Sequence, residues 1–289
     1  MSRPEPFSIE APAKINWLLR VLGRRDDGFH EIETVFQTIS LRDRILLEPS
    51  ETFELSCDDP LIPADDSNLV ARAIESLDRT VRDLPPLRVR IEKAIPSGGG
   101  LGGGSSDAAA VLRELRERYA PGLPDSQLRS IALELGSDVP FFLEGGTAYA
   151  KGRGEEIESL PDLSGIRLLL VIPAERVSTA EAYGLLGRGA FEEGSHRGAE
   201  WTRDLVARGP FESPEEFTND FEDVIFERIP LLRDLRDRLL IEGASWARMS
   251  GSGSTIVGAF RDEEVRQRAA LGMRDVRVIP VETIGPIAS

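Results

Sequence analysis

Pro96-Ser-Gly-Gly-Gly-Leu-Gly-Gly-Gly-Ser-Ser106 decides how the rest of this chain is read. Six glycines fall within the seven residues Gly98 to Gly104. Glycine loses more backbone entropy on folding than any other residue, so such a run persists only where its shape is needed. Without Cβ atoms, its backbone N–H groups can approach a ligand closely. Before the loop, Leu87, Val89 and Ile91 alternate with Arg88 and Arg90, as in a strand. After it, Ala108, Val111, Leu112, Leu115 and Tyr119 keep a 3.6-residue stripe, predicting a helix that begins near Ser105–Ala108. A helix N-terminus carries about half a positive charge. Strand, glycine loop and helix start together make a nest for a triphosphate.

Gly98-x-Gly-x-x-Gly103 also matches the dinucleotide fingerprint, a weak signal by itself. That reading, an oxidoreductase, needs the loop after a first strand near the start of a doubly wound sheet. Here it lies a third of the way along the chain. No lysine follows the glycines as in a G-x-x-x-x-G-K-[ST] loop, and the protein-kinase triplets H-R-D and D-F-G are absent.

Working outward, Phe7 to Leu22 reads as a strand, a bend at Pro12-Ala-Lys-Ile-Asn16 and a second strand, with a turn at Arg24–Gly28. Glu33 to Leu47 has strand character. Asp66 to Leu77 reads as a helix capped by Asp66 or Ser67. Asp125 to Leu135 is a second amphipathic helix stopped by Gly136, and Ser137-Asp138-Val139-Pro140 follows. Composition breaks near Pro161–Gly165. Beyond it, Arg167 to Pro173 is a buried strand by its apolar run, and Gly187 to Pro214 reads as a long surface connection. Pro230–Ile241 is helical, two strands pinch around Gly251-Ser-Gly-Ser254, and a helix and a strand finish the chain. The order suits an α+β class, with domains at 1–162 and 163–289.

Composition limits the partners. The 289 residues carry a net charge of −15, which argues against nucleic acid and anionic membranes. An RNA-binding module is disfavoured on the same ground. No apolar run approaches the ~20 residues of a membrane span. Met1-Ser-Arg-Pro-Glu-Pro-Phe-Ser-Ile-Glu10 has no signal-peptide pattern, and Cys57 is the sole cysteine, so a reducing cytoplasmic setting is expected. An anion must therefore be held locally. Only Lys14, Lys93 and Lys151 are lysines among 35 basic residues, so each stands against the chain's preference for arginine.

Three widely spaced blocks, Pro12–Asn16, Pro96–Ser106 and Met249–Ser254, resemble the three motifs of the GHMP kinases. The likeness is closest to a branch of that family acting on a cytidine-diphosphate-bearing sugar alcohol of the non-mevalonate isoprenoid route. It extends over Gly23–His30, Gly100–Ala109, Gly136–Leu143 and Asn219–Glu222, in register from about residue 11 to 260. It departs at Phe29 and Trp17, where that branch usually has tyrosine and leucine. The resemblance implies a two-domain α+β fold: an N-terminal domain like the second domain of ribosomal protein S5, and a ferredoxin-like C-terminal domain. The active site would lie between them. It further implies ATP with Mg2+, a small-molecule partner carrying cytidine diphosphate, and a monomer or weak homodimer. GHMP kinases for mevalonate or homoserine are the nearest alternative.

Asp138, just past a helix where a loop can aim a carboxylate into a cleft, is the candidate base, and the resemblance gives the same residue. A surface aspartate capping a turn is the plain alternative. Lys14, in an apolar segment, needs a partner, because an unpaired buried ammonium is expensive. It would pair with Asp138 or steady the transferring phosphate. By resemblance, Asn16, Phe29, His30, Thr179 and Tyr183 hold the alcohol, with His30 on the cytosine edge and Tyr183 stacked on its ring; a core tyrosine remains the alternative for Tyr183. Asn68, Leu69 and Lys93 resemble adenine-side contacts. Pro96, Ser97, Gly98, Gly99, Gly100, Leu101, Gly102, Gly103, Gly104, Ser105 and Ser106 form the cradle, with Ser105 or Ser106 offering magnesium a hydroxyl. Gly251-Ser-Gly253 is a second loop that approaches the phosphates or closes the first. Lys151 has no assigned role, and His196, in the long connection, is expected in solvent.

Overall fold

A computed structural model describes residues 5–82 and 84–287. Two long strands, β1 (Phe7–Arg24) and β2 (His30–Pro49), form an antiparallel hairpin that frames the first sheet. β3 (Glu54–Cys57) lies parallel to β4 (Leu87–Glu92). One edge of β2 carries β1 over its whole length. The other pairs with β5 (Thr147–Gly152) through Ile32–Gln37 and with β4 through Arg44–Pro49, and β6 (Glu156–Ser159) extends β5.

The bend expected at Pro12–Asn16 is not a break. β1 runs through it with register shifts at Pro12/Lys14, Asn16/Leu18 and Val21/Gly23. Proline has no N–H for the ladder, and a bulge absorbs the missing bond while keeping the strand continuous.

Helices α1 (Leu69–Val81), α2 (Gly103–Tyr119) and α3 (Asp125–Leu135) cover one face of this sheet, and a 3₁₀ turn at Pro140–Leu143 follows. The cap of α1 is Asn68 rather than Asp66 or Ser67: its side chain accepts the Val70 N–H at 2.9 Å. The stripe Ala108, Val111, Leu112 and Leu115 is buried with Ile45, Leu47, Val89 and Ile91. Each such Leu, Ile or Val contributes about 1.5–3 kcal/mol on leaving water, which anchors α2 and fixes where its N-terminus points.

The second sheet comprises β7 (Arg167–Ile172), β8 (Trp246–Met249), β9 (Ile256–Phe260) and β10 (Arg277–Glu282), all antiparallel in the order β10-β7-β9-β8. β7 is apolar from Leu168 to Ile172 because both its faces are covered. Leu168 and Leu170 pack with Ile15, Trp17 and Leu18 of β1, whereas Leu169 and Val171 meet the helical layer. That layer draws on α4 (Thr179–Leu186), α6 (Phe221–Arg228), α7 (Pro230–Ile241) and α8 (Glu263–Gly272). The two sheets thus share a core, with the Trp17 and Trp246 rings 4.7 Å apart at the junction.

The span 187–214 is not all loop. α5 (Gly198–Arg208) lies within it, burying Thr202, Leu205 and Val206. The Glu33 carboxylate accepts the Arg197 and Gly198 N–H groups at its start, an anion at the positive end of the helix. His196, expected in solvent, is half-buried: its Nε2 lies 2.9 Å from Glu31 Oε1.

Candidate active site

Between the two sheets opens a cavity of about 820 Å³. The glycine loop crosses it and delivers the N-terminus of α2 into it. Gly102 caps that helix at φ 72°, and a Cβ there would press on the Phe142 ring at 2.8 Å. Gly100, at φ 76°, is tighter still: its Cβ would lie 2.1 Å from the Ser250 carbonyl oxygen. Here the first loop meets the second backbone to backbone. Ser250 Oγ donates to Gly100 O at 3.0 Å, and Thr255 N–H donates to Gly99 O at 3.4 Å. Asn219 holds the second loop, donating from Nδ2 to Met249 O at 2.7 Å and Gly251 O at 2.8 Å.

Lys14 reaches the cavity from β1, almost fully buried. Its Nζ donates to Asn16 Oδ1 at 2.8 Å and lies 3.6 Å from Asp138 Oδ2. Asn16 Nδ2 donates to Thr34 Oγ1, which donates to Leu18 O, so a chain of bonds fixes the ammonium. Burial lowers the Lys14 pKa, and the Asp138 charge offsets part of that fall. Asp138 itself retains 34 % of its side-chain exposure, enough to meet a ligand. An ion pair with one sheltered and one accessible member suits a group that must exchange a proton beside a fixed cation.

His30 stacks on Tyr183 with ring centroids 4.6 Å apart. Burial, with Arg24 nearby, lowers the His30 pKa and favours the neutral ring, which donates at one nitrogen and accepts at the other. Burial and the Asp138 charge push the Tyr183 phenol up to about 12. Phe29 is half exposed, with the Arg153 guanidinium 4.6 Å above its ring. Thr179 shares a hydrogen bond of 3.1 Å with Ser252.

Most of the residues named from the sequence meet here. Lys14, Asn16, Phe29, His30, Leu69, Lys93, Asp138, Thr179 and Tyr183 line the cavity with the loop from Pro96 to Ser105. Asn68 and Ser106 do not. Asn68 is occupied as the α1 cap, also donating to Pro63 O, and Ser106 Oγ donates to Pro12 O at 2.7 Å. The Lys93 ammonium is engaged by Asp43 and by Asp107 Oδ2, the latter at 2.7 Å. Burial alone would lower its pKa, but the two carboxylates raise it, so it stays charged. Burial and the Asp43 charge raise the Asp107 carboxyl to about 7 against the pull of Lys93. Lys151 pairs with Glu156 at 3.1 Å on the surface.

Sequence reasoning missed Arg153 and the apolar wall of Phe36, Ile62 and Ile95. Arg153 stands two residues past Lys151, inside Lys-Gly-Arg-Gly, a short charged turn with a detectable signal. The apolar wall had none, because such residues are more often plain core. Among the described residues, no three His, Cys, Asp or Glu side chains gather into a metal cage.

A glycine cradle at a helix N-terminus, with a Lys–Asp pair beside it in one cleft, is the arrangement of a small-molecule kinase. The GHMP kinases N terminal domain model matches residues 68–146, and the GHMP kinases C terminal model matches 203–277. A crystal structure of 4-(cytidine 5'-diphospho)-2C-methyl-D-erythritol kinase superposes with a TM-score of 0.80 at 34 % identity, covering 96 % of this chain and 100 % of the other. The 4-diphosphocytidyl-2-C-methyl-D-erythritol kinase of Solibacter usitatus is 43 % identical across 93 % of this chain and 86 % of its own, and that of Chloroherpeton thalassium 38 % across 89 % and 90 %. Homoserine kinase from Cytophaga hutchinsonii, at 20 % identity and a TM-score of 0.76 over 99 % of this chain and 96 % of its own, shares the fold. The chain belongs to the 4-diphosphocytidyl-2-C-methyl-D-erythritol kinase family of GHMP kinases. Among the described residues, no helix is long and apolar enough to cross a membrane.

Proposed function

We propose that this protein transfers the γ-phosphoryl group of ATP to the 2-hydroxyl of 4-diphosphocytidyl-2-C-methyl-D-erythritol, giving the 2-phosphate and ADP in the non-mevalonate isoprenoid route. The observation that carries the reading is the Lys14–Asp138 pair at 3.6 Å in the same cavity as the glycine loop. The loop's N–H groups and the α2 N-terminus take the triphosphate. Asp138 accepts the proton of the attacking hydroxyl as its oxygen bonds to the γ-phosphorus and ADP leaves. Lys14 pairs with Asp138 and faces the transferring group. Asn16, Phe29, His30, Thr179 and Tyr183 hold the cytidylyl alcohol. Leu69 and Lys93 border the adenine side, where Asn68 acts through its cap.

Magnesium, where bound, would neutralise the charge of the phosphates. The donors near the cradle, Ser105 and backbone, would fit an ion carried mainly by the triphosphate and water, since Ser106 is buried and does not line the cavity. We place the domain boundary between β6 and β7, near residue 162, and the enzyme in the cytoplasm as a monomer or weak homodimer.

ADP release is the test, measured with ATP and magnesium on the cytidylyl alcohol, mevalonate and homoserine in parallel. Turnover with the first alone is expected. Turnover with another alcohol instead overturns the substrate assignment while keeping the kinase.

A further inference from the structure

One buried carboxylate next to His30 in the chain has no part in the chemistry above. Glu31, the second residue of β2, is 5 % exposed. Its Oε1 accepts the Gly152 N–H at 2.9 Å and meets His196 Nε2 at 2.9 Å, and its Oε2 pairs with Arg25. Three chain segments distant in sequence therefore end on one side chain.

Two of them carry residues that line the cavity. Arg25 belongs to the turn that presents Phe29 and His30. Its N–H donates to Phe29 O at 2.8 Å, and its guanidinium also reaches Asp27 at 3.2 Å. Asp27 Oδ1 in turn accepts the Phe29 N–H. Gly152 precedes Arg153, whose guanidinium covers the Phe29 ring. One carboxylate thus links the turn that carries Phe29 to the strand end before Arg153, while His30, its chain neighbour, stacks on Tyr183. The third segment adds His196, from the span just before α5.

We propose that Glu31 is a positioning residue for the alcohol-binding half of the site, acting through Arg25 and Gly152 on Phe29, His30 and Arg153; this rests on the substrate reading above. Burying a carboxylate is costly, and this one is compensated by an arginine, a backbone N–H and a histidine. The neutral isostere glutamine keeps the volume but loses the charge-assisted pair, so the turn loosens without leaving a cavity.

Glu31→Gln should raise KM for the cytidylyl alcohol roughly tenfold while kcat and the ATP KM stay within about twofold. Arg25→Gln, at a partly exposed partner, should shift KM the same way and by less. Glu33→Gln is the matched control. That residue is equally buried on the same strand, but it ties Tyr149, Arg20 and the start of α5. It should lower Tm and leave the alcohol KM alone. The chain's two histidines give a readout that needs no ligand. In proton NMR, assigned with His30→Asn, Glu31→Gln should move the His30 ring signals toward unstacked positions. A His30 signal that stays in place, or an ATP KM rising in step with the alcohol KM, overturns the proposal. A wild-type enzyme inert toward the cytidylyl alcohol overturns the substrate reading instead, and the His30 signal still decides the role of Glu31.

Discussion

The proposed chemistry rests on Lys14, whose neighbours pull its proton affinity in opposite directions. Burial acts first and lowers the pKa, and Asp138 restores part of it. A lysine that must stay cationic loses activity as pH rises through its pKa. The alkaline limb of kcat/KM should therefore lie below 10.5, the ordinary lysine value. Asp138→Asn removes both the proposed base and the charge that supports the ammonium. It should cut kcat by about 10²- to 10⁴-fold, the usual worth of a positioned general base. Residual activity should show its alkaline limb at still lower pH. A limb that moved upward in the variant would contradict the pairing, and unchanged kcat would remove Asp138 as the base. Both partners are legible in the sequence because each stands out locally, a rare lysine in an apolar strand and an aspartate past a helix stop. Glu31 is not legible: its partners lie at positions 25, 152 and 196, and no local pattern joins them.

Elements were readable in proportion to how far one chemical cue dominates their composition. The α2 stripe falls at helical spacing with few breaks, and the helix forms there, although it starts at Gly103, ahead of the expected Ser105–Ala108, because glycine at 102 supplies the left-handed cap. α5 was lost for the opposite reason. Glycines and charges crowd the span 187–214, while its buried face reduces to Thr202, Leu205 and Val206 and its start depends on Glu33, 165 residues earlier. In β1, Pro12 suggests an end by its chemistry, whereas paired neighbours let a bulge absorb it. The glycine loop announces anion binding but not its contact with the second loop. Gly100→Ala tests that contact. Its Cβ would meet a backbone carbonyl, so one loop must shift, and a displacement near 1 Å at a positioned site costs on the order of 100-fold. kcat/KM for ATP should fall by that order, and wild-type kinetics would show that the loops are not held in register.

Across the whole molecule, the cavity exists because β1 is fastened to the second half at both core and backbone. Trp17 and Trp246 fill the junction of the two sheets, which gives the unexpected tryptophan at 17 a packing role. The segment 218–220 then ties the chain's halves together: Leu19 N–H donates to Thr218 O, Asp220 N–H to Leu19 O, and Val21 N–H to Asp220 Oδ2. Asn219 is the centre of this joint. It faces two carbonyls of the second glycine loop with its amide NH₂ and accepts the Phe221 N–H at 2.9 Å through Oδ1. Asn219→Ala would leave three buried backbone groups unpaired, each costing about 1–3 kcal/mol before relaxation or water offsets part of it. Tm should fall clearly, and kcat should fall with it as the loop beside Gly100 loosens. Asn219→Asp keeps the shape and the Phe221 bond but sets a carboxylate oxygen against Met249 O and Gly251 O, acceptor against acceptor in a buried site. Its Tm should lie below that of Asn219→Ala at neutral pH. It should recover as pH falls, because burial and facing carbonyls raise the pKa of such a carboxyl and its protonated form can donate to one of them. An aspartate variant more stable than alanine at neutral pH would mean that the loop carbonyls can turn away, and that Asn219 does not hold the two halves in register.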